Sequence, residues 1–404
     1  MRQLHERLQV LGEVGREGEG IVRPLCSAAE HRARELLASW ARDAGFSVEQ
    51  DAVGNLFVRK PGCRDLPPVQ TGSHLDTVKG GGRYDGAYGV VGGLCALEAL
   101  AERGMETAHP VELVAWAGEE GSRFPVGCLG SSVYAGLIGV EAARALRGDD
   151  GTTFADALRG TSGLLAGVPV REGSATPSGY VELHIEQGPI LERAGLRLGV
   201  VTAIAGQRRL RVVIDGEPGH AGTVPMAYRH DAFAAAAELA LGVEQRARRI
   251  GDCVATVGRV VVEPNQTNVV PGRVELRFDV RSVDDGRVEA VVDELERLSR
   301  SIAGIRGVRI AVEALEERAA TPMDARLRGA VGAVVERLGH PAFDVPSGAG
   351  HDAMCLAAVA PVAMIFVPSI GGVSHVGHER TAPEDLALGV EALAAAIAEI
   401  DRLV

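Results

Sequence analysis

The feature that most constrains this chain is a change of rhythm along it. From about residue 51, apolar runs of strand length alternate with helical stretches: Asn55–Arg59, Val69–Ser73, the helical Gly86–Arg103, then Val111–Ala117 and Val181–Ile185. Strands separated by helices call for an α/β layer with a largely parallel sheet. Between about 207 and 316 the order becomes β-α-β-β-α-β: Arg208–Asp215, helical Asp231–Arg248, Val254–Glu263, Arg273–Arg281, helical Asp284–Ala303 and Val308–Val312. That is the ferredoxin-like arrangement. The α/β pattern then resumes and closes with a helix at Pro383–Leu403, while residues 1–50 read as helices, Ser27–Ala44 ending at Gly45. The predicted fold is α/β, a mixed, mostly parallel sheet flanked by helices over 1–206 and 317–404, with an inserted ferredoxin-like α+β domain at 207–316. A chain of 404 residues has room for both.

Composition removes whole classes of function. Against 42 basic side chains stand 54 acidic ones, a net charge of −12, which disfavours nucleic acid and anionic membranes as partners. Aromatics at 4% supply no stacking platform for single strands. No run approaches the roughly 18 apolar residues of a membrane helix, and Met-Arg-Gln-Leu-His-Glu-Arg is no signal peptide. Cys26, Cys63, Cys95, Cys128, Cys253 and Cys355 stand singly, without a Cys-x-x-Cys pair. They read as reduced, buried thiols of a cytoplasmic protein rather than a zinc cage or a disulfide framework.

The chemistry-bearing residues cluster at strand ends. His74 follows a strand in Gly-Ser-His-Leu-Asp-Thr-Val, with Asp76 two residues on. His-x-Asp can supply a metal-bound imidazole and a group that orients it, although alone the pattern is weak. Asp85 precedes a helix, where it reads equally well as an N-cap or as a carboxylate that bridges two ions. Glu119 and Glu120 end a strongly apolar strand, just where an open α/β sheet places its ligands. One such carboxylate can hold a metal while the other moves protons. His184 ends another strand in His-Ile-Glu-Gln-Gly-Pro, and Ser374-His375-Val376-Gly377-His378-Glu379 precedes the final helix. Each histidine by itself reads as a buried, satisfied core residue. Three strands delivering imidazole and carboxylate at their carboxyl ends, with no thiolates, point together to a dinuclear metal hydrolase using Zn, Mn, Co or Ni.

From about residue 20 to 400 the chain resembles the metallopeptidase family M20, in its amidohydrolase branch of N-carbamoyl-L-amino acid hydrolases, β-ureidopropionases and allantoate amidohydrolases. The motifs that carry this are Gly-Ser-His-Leu-Asp-Thr-Val, Asp85-Gly86, Glu-Glu-Gly-Ser-Arg-Phe, His-Ile-Glu-Gln-Gly-Pro, Gly-His-Ala-Gly-Thr at 219–223, Ser-Gly-Ala-Gly-His-Asp-Ala at 347–353 and Ser374-His375. The resemblance implies two divalent metal ions, Zn or Mn first and Co or Ni as alternatives. His74 and His184 would hold one, Glu120 and His375 the other, and Asp85 would bridge them. Asp76 would orient His74, and Glu119 would be the general base. The inserted domain would be a lid and dimerisation domain of a homodimer. Its His220 would act in catalysis and on substrate, beside Asn268, Arg281 and Gln187. Peptidases of the family carry a carboxylate where His184 stands, so His184 and Gln187 mark the amidohydrolase branch. The C-terminal motif departs from the pattern, with Gly377 in place of a proline, and leaves His378 as an alternative to His375.

The implied reaction is hydrolysis of a ureido or carbamoyl C–N bond in a small carboxylate-bearing substrate, releasing ammonia and CO2. Gly206-Gln207-Arg208-Arg209 and Met364-Ile365-Phe366-Val367-Pro368-Ser369 favour allantoate, with N-carbamoyl-L-amino acids or N-carbamoyl-β-alanine as runner-up. A peptidase or deacylase of the family is disfavoured by His184 and Gln187. A non-catalytic metal-binding relative is disfavoured by the retention of Glu119.

Overall fold

The computed structural model describes residues 2–173 and 175–404. The chain divides into two compact units: Met1–Thr202 with Met323–Val345 and Ala349–Val404, and Ala203–Pro322 with Pro346–Gly348.

The first unit is built on strands β1 (Ser47–Gln50), β2 (Leu56–Lys60), β3 (Val69–His74), β4 (Val111–Trp116), β5 (Gly179–Ile185), β6 (Gly199–Ile204) and β7 (Val362–Val367), in the order β6-β7-β5-β3-β4-β2-β1. The parallel character foreseen from the sequence belongs to the centre: β7 with β5, β5 with β3 and β3 with β4. Outside it β6, β2 and β1 pair antiparallel, so the sheet is mixed. Short connections such as that from β1 to β2 return the chain without the helical crossover a parallel pair needs. The N-terminal stretch is likewise not all helix. Helices Arg2–Glu13 and Ala28–Asp43 are separated by a two-stranded ribbon, Arg16–Glu17 with Gly20–Ile21.

Every residue of β3, β4, β5 and β7 is buried. Helix Ala87–Glu102 is apolar nearly all round and lies close on the sheet, and a Cβ on its Gly89 would stand 2.4 Å from the Leu183 carbonyl oxygen. The order reverses at β3: the chain leaves it through that helix to β4 on one side, then comes back to β5 on the other. Such a reversal opens a crevice at the carboxyl ends of the strands, which is where open α/β sheets bind ligands.

The second unit has four long strands in the order Val254–Glu263, Arg273–Ser282, Gly206–Asp215, Arg309–Arg318, all antiparallel, with helices Ala232–Ile250 and Asp285–Arg306. Period-two burial along Arg273–Ser282 sends Val274, Leu276, Phe278 and Val280 into the core beneath the helices. Arg273, Glu275, Arg277, Asp279 and Arg281 fall on the other face. The unit runs wider than the 207–316 read from sequence, because its last strand continues to Arg318 past a register shift at Ala314/Glu316. It also takes in Pro346–Gly348 from the returning chain.

Candidate metal centre

The crevice gathers six side chains of the first unit. His74 is the last residue of β3, Glu119 and Glu120 follow β4, His184 is the sixth residue of β5, and Asp85 stands just before helix Ala87–Glu102. His375 comes from the loop before the last helix. Asp85 is at the centre. Its Oδ1 lies 3.6 Å from His74 Nε2 and 3.3 Å from His184 Nε2, and its Oδ2 lies 3.2 Å from His375 Nε2. Glu119 Oε2 is 3.7 Å from His74 Nε2, and Glu120 Oε2 is 3.7 Å from His375 Nε2. The potential ligand atoms fall into three overlapping groups: His74 with Asp85 and His184, His74 with Glu119 and Glu120, and Asp85 with Glu120 and His375. His375, and not His378, shares a group with Asp85 and Glu120.

The far nitrogens are tied down in the way metal ligands require. His184 Nδ1 is 2.9 Å from the Ile185 carbonyl oxygen, and its Nε2 accepts from the Gly86 N–H at 3.2 Å. The proton therefore sits on Nδ1 and Nε2 presents its lone pair. His74 Nδ1 is 3.0 Å from the Asp76 carbonyl oxygen. Asp76, expected to orient His74, meets it through two groups. Its backbone, not its carboxylate, is the closer partner of His74, because the carboxylate stands 3.7 Å from Nδ1. That carboxylate also accepts from the backbone N–H groups of Glu119 at 3.1 Å and Glu120 at 3.2 Å, and so holds the turn carrying both glutamates.

Gly86 is the fixed point of the approach. Its φ is +65°, and a Cβ there would lie 2.4 Å from His74 Cε1. Non-glycine residues in the left-handed region are uncommon and often mark functional strain. Among the described residues Cys128, Gln187 and His375 adopt it, and each belongs to this cluster or borders it.

The electrostatics describe a site that calls for cations. Burial pushes the Asp85 carboxyl up, but the three imidazoles more than reverse this and hold it well below the usual range. Burial lowers His74, and Asp85 with the neighbouring carboxylates outweighs it, leaving His74 well above its ordinary value. The hydrogen bond to Asp85 raises His375 to about 9. Burial raises Glu119, and raises Glu120 to about 8 despite His74 nearby. Four carboxylates (with Asp76) crowd three imidazoles, and divalent ions would replace the protons otherwise needed to balance them. The nitrogen and oxygen donors, converging on Asp85, and the Gly86 cradle fit such ions.

Several neighbours take parts that their motifs did not specify. Ser374 Oγ is 2.8 Å from Asp85 Oδ2 and 2.6 Å from Glu379 Oε2, while Glu379 Oε1 accepts from the N–H groups of Tyr84 and Asp85. His351, in the Ser-Gly-Ala-Gly-His-Asp-Ala segment, packs its buried ring edge-to-face on His184 at 4.5 Å. Gln187, expected at the substrate, gives its Nε2 to Asp85 Oδ2 at 2.7 Å. The thiols are also less uniform than expected. Cys26, Cys128 and Cys355 are buried, and Cys63 is exposed.

His220, Asn268 and Arg281 belong to the second unit. His220 pairs with Val269 and is exposed, beside Asn268, whose carbonyl accepts from Ala221 N–H at 2.9 Å. The Gly222 N–H donates to His220 Nδ1 at 3.0 Å, so the neutral ring carries its proton on Nε2 and offers a donor there. Arg281 is engaged by Asp279, Nε to Oδ1 at 2.7 Å and Nη2 to Oδ2 at 3.0 Å, while Nη1 donates to the Gly348 carbonyl at 2.9 Å.

A parallel-centred α/β sheet with buried imidazoles and carboxylates at its switch point defines a metal-dependent hydrolase scaffold. The profile of peptidase family M20/M25/M40 matches residues 70–399. The N-carbamoyl-L-amino acid amidohydrolase of Geobacillus stearothermophilus is 42% identical over 397 residues, 97% of this chain and 96% of that protein. The allantoate amidohydrolase of Bacillus subtilis is 36% identical over 389 residues, 96% and 94% of the two chains. A crystal structure of an amidase of the hydantoinase/carbamoylase family from Burkholderia multivorans superposes with a TM-score of 0.94 at 37% identity, covering 99% of this chain and 97% of that one. The chain belongs to the M20 family, in its amidohydrolase branch.

Proposed function

We propose that this chain is a metal-dependent amidohydrolase that cleaves the ureido or carbamoyl C–N bond of a small carboxylate-bearing substrate, releasing ammonia and CO2. The observation that carries the reading is Asp85 among the Nε2 atoms of His74, His184 and His375, with Glu119 beside them. Divalent ions held there, Zn or Mn first and Co or Ni as alternatives, would supply Lewis-acid activation of water near neutral pH. Glu119 takes the proton of the attacking water and returns it to the departing nitrogen, a role worth about 10²–10⁴-fold. His220 gives its Nε2–H to the carbonyl oxygen as charge develops. Arg281 binds the substrate carboxylate, and Asn268 assists it. The second unit serves as lid and dimerisation domain in a cytoplasmic homodimer. This part of the reading rests on the family resemblance, the acidic charge and cysteines that form no disulfide among the described residues. Among the described residues no helix is long and apolar enough to cross a membrane.

N-carbamoyl-L-amino acids are the proposed substrates. The relative of that name is 42% identical over nearly the whole chain, against 36% for the allantoate amidohydrolase. Allantoate is the second reading, favoured by the Gly206–Arg209 and Met364–Ser369 stretches. Met364, Ile365, Phe366 and Val367, however, lie fully buried in β7, where they report ancestry more directly than substrate contact. The test is ammonia release by Zn- or Mn-loaded protein on N-carbamoyl-L-amino acids, N-carbamoyl-β-alanine and allantoate. Glu119→Gln is expected to keep its metal and lose most turnover. Full turnover in that variant would overturn the role of Glu119, and silence on every substrate would overturn the function.

A further inference from the structure

Cys128 occupies a place that a cysteine would not take for packing alone. It precedes the short helix Leu129–Tyr134 with φ +52° and ψ 40°, a left-handed conformation in which a side chain is disfavoured and glycine is the usual occupant. No side chain caps this helix. Its first donors are met instead by the chain leaving β4. The N–H groups of Cys128, Leu129 and Gly130 donate to the carbonyls of Glu119, Gly118 and Ala117 at 2.8, 3.2 and 2.8 Å. That zipper sets Cys128 directly against Glu119, and the thiol completes it: Sγ is 3.3 Å from Glu119 Oε1, with Cys128 only 2% exposed. At neutral pH an ordinary thiol keeps its proton, so Cys128 donates and the carboxylate accepts. The other oxygen, Oε2, is the one that lies toward His74.

We infer that Cys128 is a positioning residue for Glu119: its thiol holds Oε1, fixes the carboxylate's rotation and leaves Oε2 directed at the metal cluster. The inference rests on Glu119 being the proton-transferring group. Glycine would accept the backbone conformation more readily, but it has no group to hold the carboxylate. A carboxylate free to turn spends less time in the productive geometry, and this lowers turnover rather than substrate binding.

The test compares Cys128→Ala, Cys128→Ser and wild type, each with its metal content measured. Cys128→Ala is expected to lose about 10- to 100-fold in kcat, the value of a hydrogen bond to a charged group, with KM and bound metal unchanged. Cys128→Ser keeps a donor and is expected to recover most of the loss. A wild-type kcat in Cys128→Ala, or a serine variant no better than alanine, would overturn the inference. A second measurement needs neither turnover nor a folded alanine variant. The infrared S–H stretch of Cys128, identified by its absence in Cys128→Ser, is expected below that of a free thiol, and it should move up in Glu119→Gln, whose amide oxygen is a weaker acceptor. A band that ignores Glu119→Gln also overturns the inference. A band that shifts in a protein inactive on every carbamoyl substrate would place the failure in the proposed reaction, not in the contact.

Discussion

Asp76 touches His74 with its backbone and Glu119 with its side chain. The carbonyl oxygen lies 3.0 Å from His74 Nδ1, and Oδ1 accepts the Glu119 N–H at 3.1 Å. One residue thus holds a candidate ligand and the candidate base through different atoms, and the two functions can be separated by mutation. In Asp76→Ala the carbonyl is retained but the N–H groups of Glu119 and Glu120 lose their acceptor. The expected outcome is a fall in kcat of about 100-fold, typical of a catalytic group displaced by about an ångström, with metal still bound at His74. Metal analysis beside kinetics checks it. Loss of metal with the activity would show that the carboxylate also holds a ligand in place, His74 or Glu120, and not the base alone.

Gly86→Ala is expected to damage the metal centre from the backbone outward. Its left-handed φ and the 2.4 Å approach of a Cβ to His74 leave no room for a methyl group without moving the imidazole. Strain and overpacking of this kind cost about 1–3 kcal/mol each. Thermal unfolding should show the lower stability, and metal titration a weakened site. Wild-type metal affinity in this variant would mean that His74 is not a ligand in the geometry described.

Arg281→Ala is expected to raise KM for N-carbamoyl-L-amino acids by about 30-fold or more, since losing one partner of a charge pair costs about 2–5 kcal/mol. The amide analogue of the same substrate, which lacks the carboxylate, should be hydrolysed equally by variant and wild type. An equal KM rise for both would remove Arg281 from carboxylate recognition.

Asp279 predicts a pH dependence of stability. Burial raises its carboxyl, but hydrogen bonds from Arg281, Gln207 and Arg209 outweigh that and hold it below the ordinary 3.8. A carboxyl depressed in the folded state adds stability above its unfolded pKa, and that stability is lost as pH falls through the folded pKa. The melting-temperature gap between wild type and Asp279→Asn should therefore be full above about pH 5 and close below about pH 4. A gap that is constant from pH 7 to pH 3 would contradict this account.

Much of the architecture was legible because it is written in local periodicity. The apolar runs at Val69–Ser73 and Val111–Ala117 and the helical stretch at Gly86–Arg103 match β3, β4 and helix Ala87–Glu102 closely. The β-α-β-β-α-β order of the second unit was likewise countable from alternation alone. The antiparallel edges of the large sheet were not, because strand direction depends on which strands meet, and no single strand records its neighbour. The Pro346–Gly348 segment joined the second unit for the same reason, by contact at long sequence separation.

The candidate site divides along the same line. By itself the sequence determined which residue types end the strands: His74, Glu119, Glu120 and His184, with Asp85 before a helix and His375 before the last. These are local facts of composition and spacing. Only the tertiary structure decided that their ligand atoms converge on Asp85, that His375 and not His378 joins them, and that Asp76 grips the glutamate turn with its carboxylate. It also decided that a lone cysteine nine residues beyond Glu119 returns to hydrogen-bond it. Hydrogen bonds and metal-ligand geometry are set over a few ångströms in space, and in this chain the atoms concerned come from residues as far apart in sequence as Asp85 and His375.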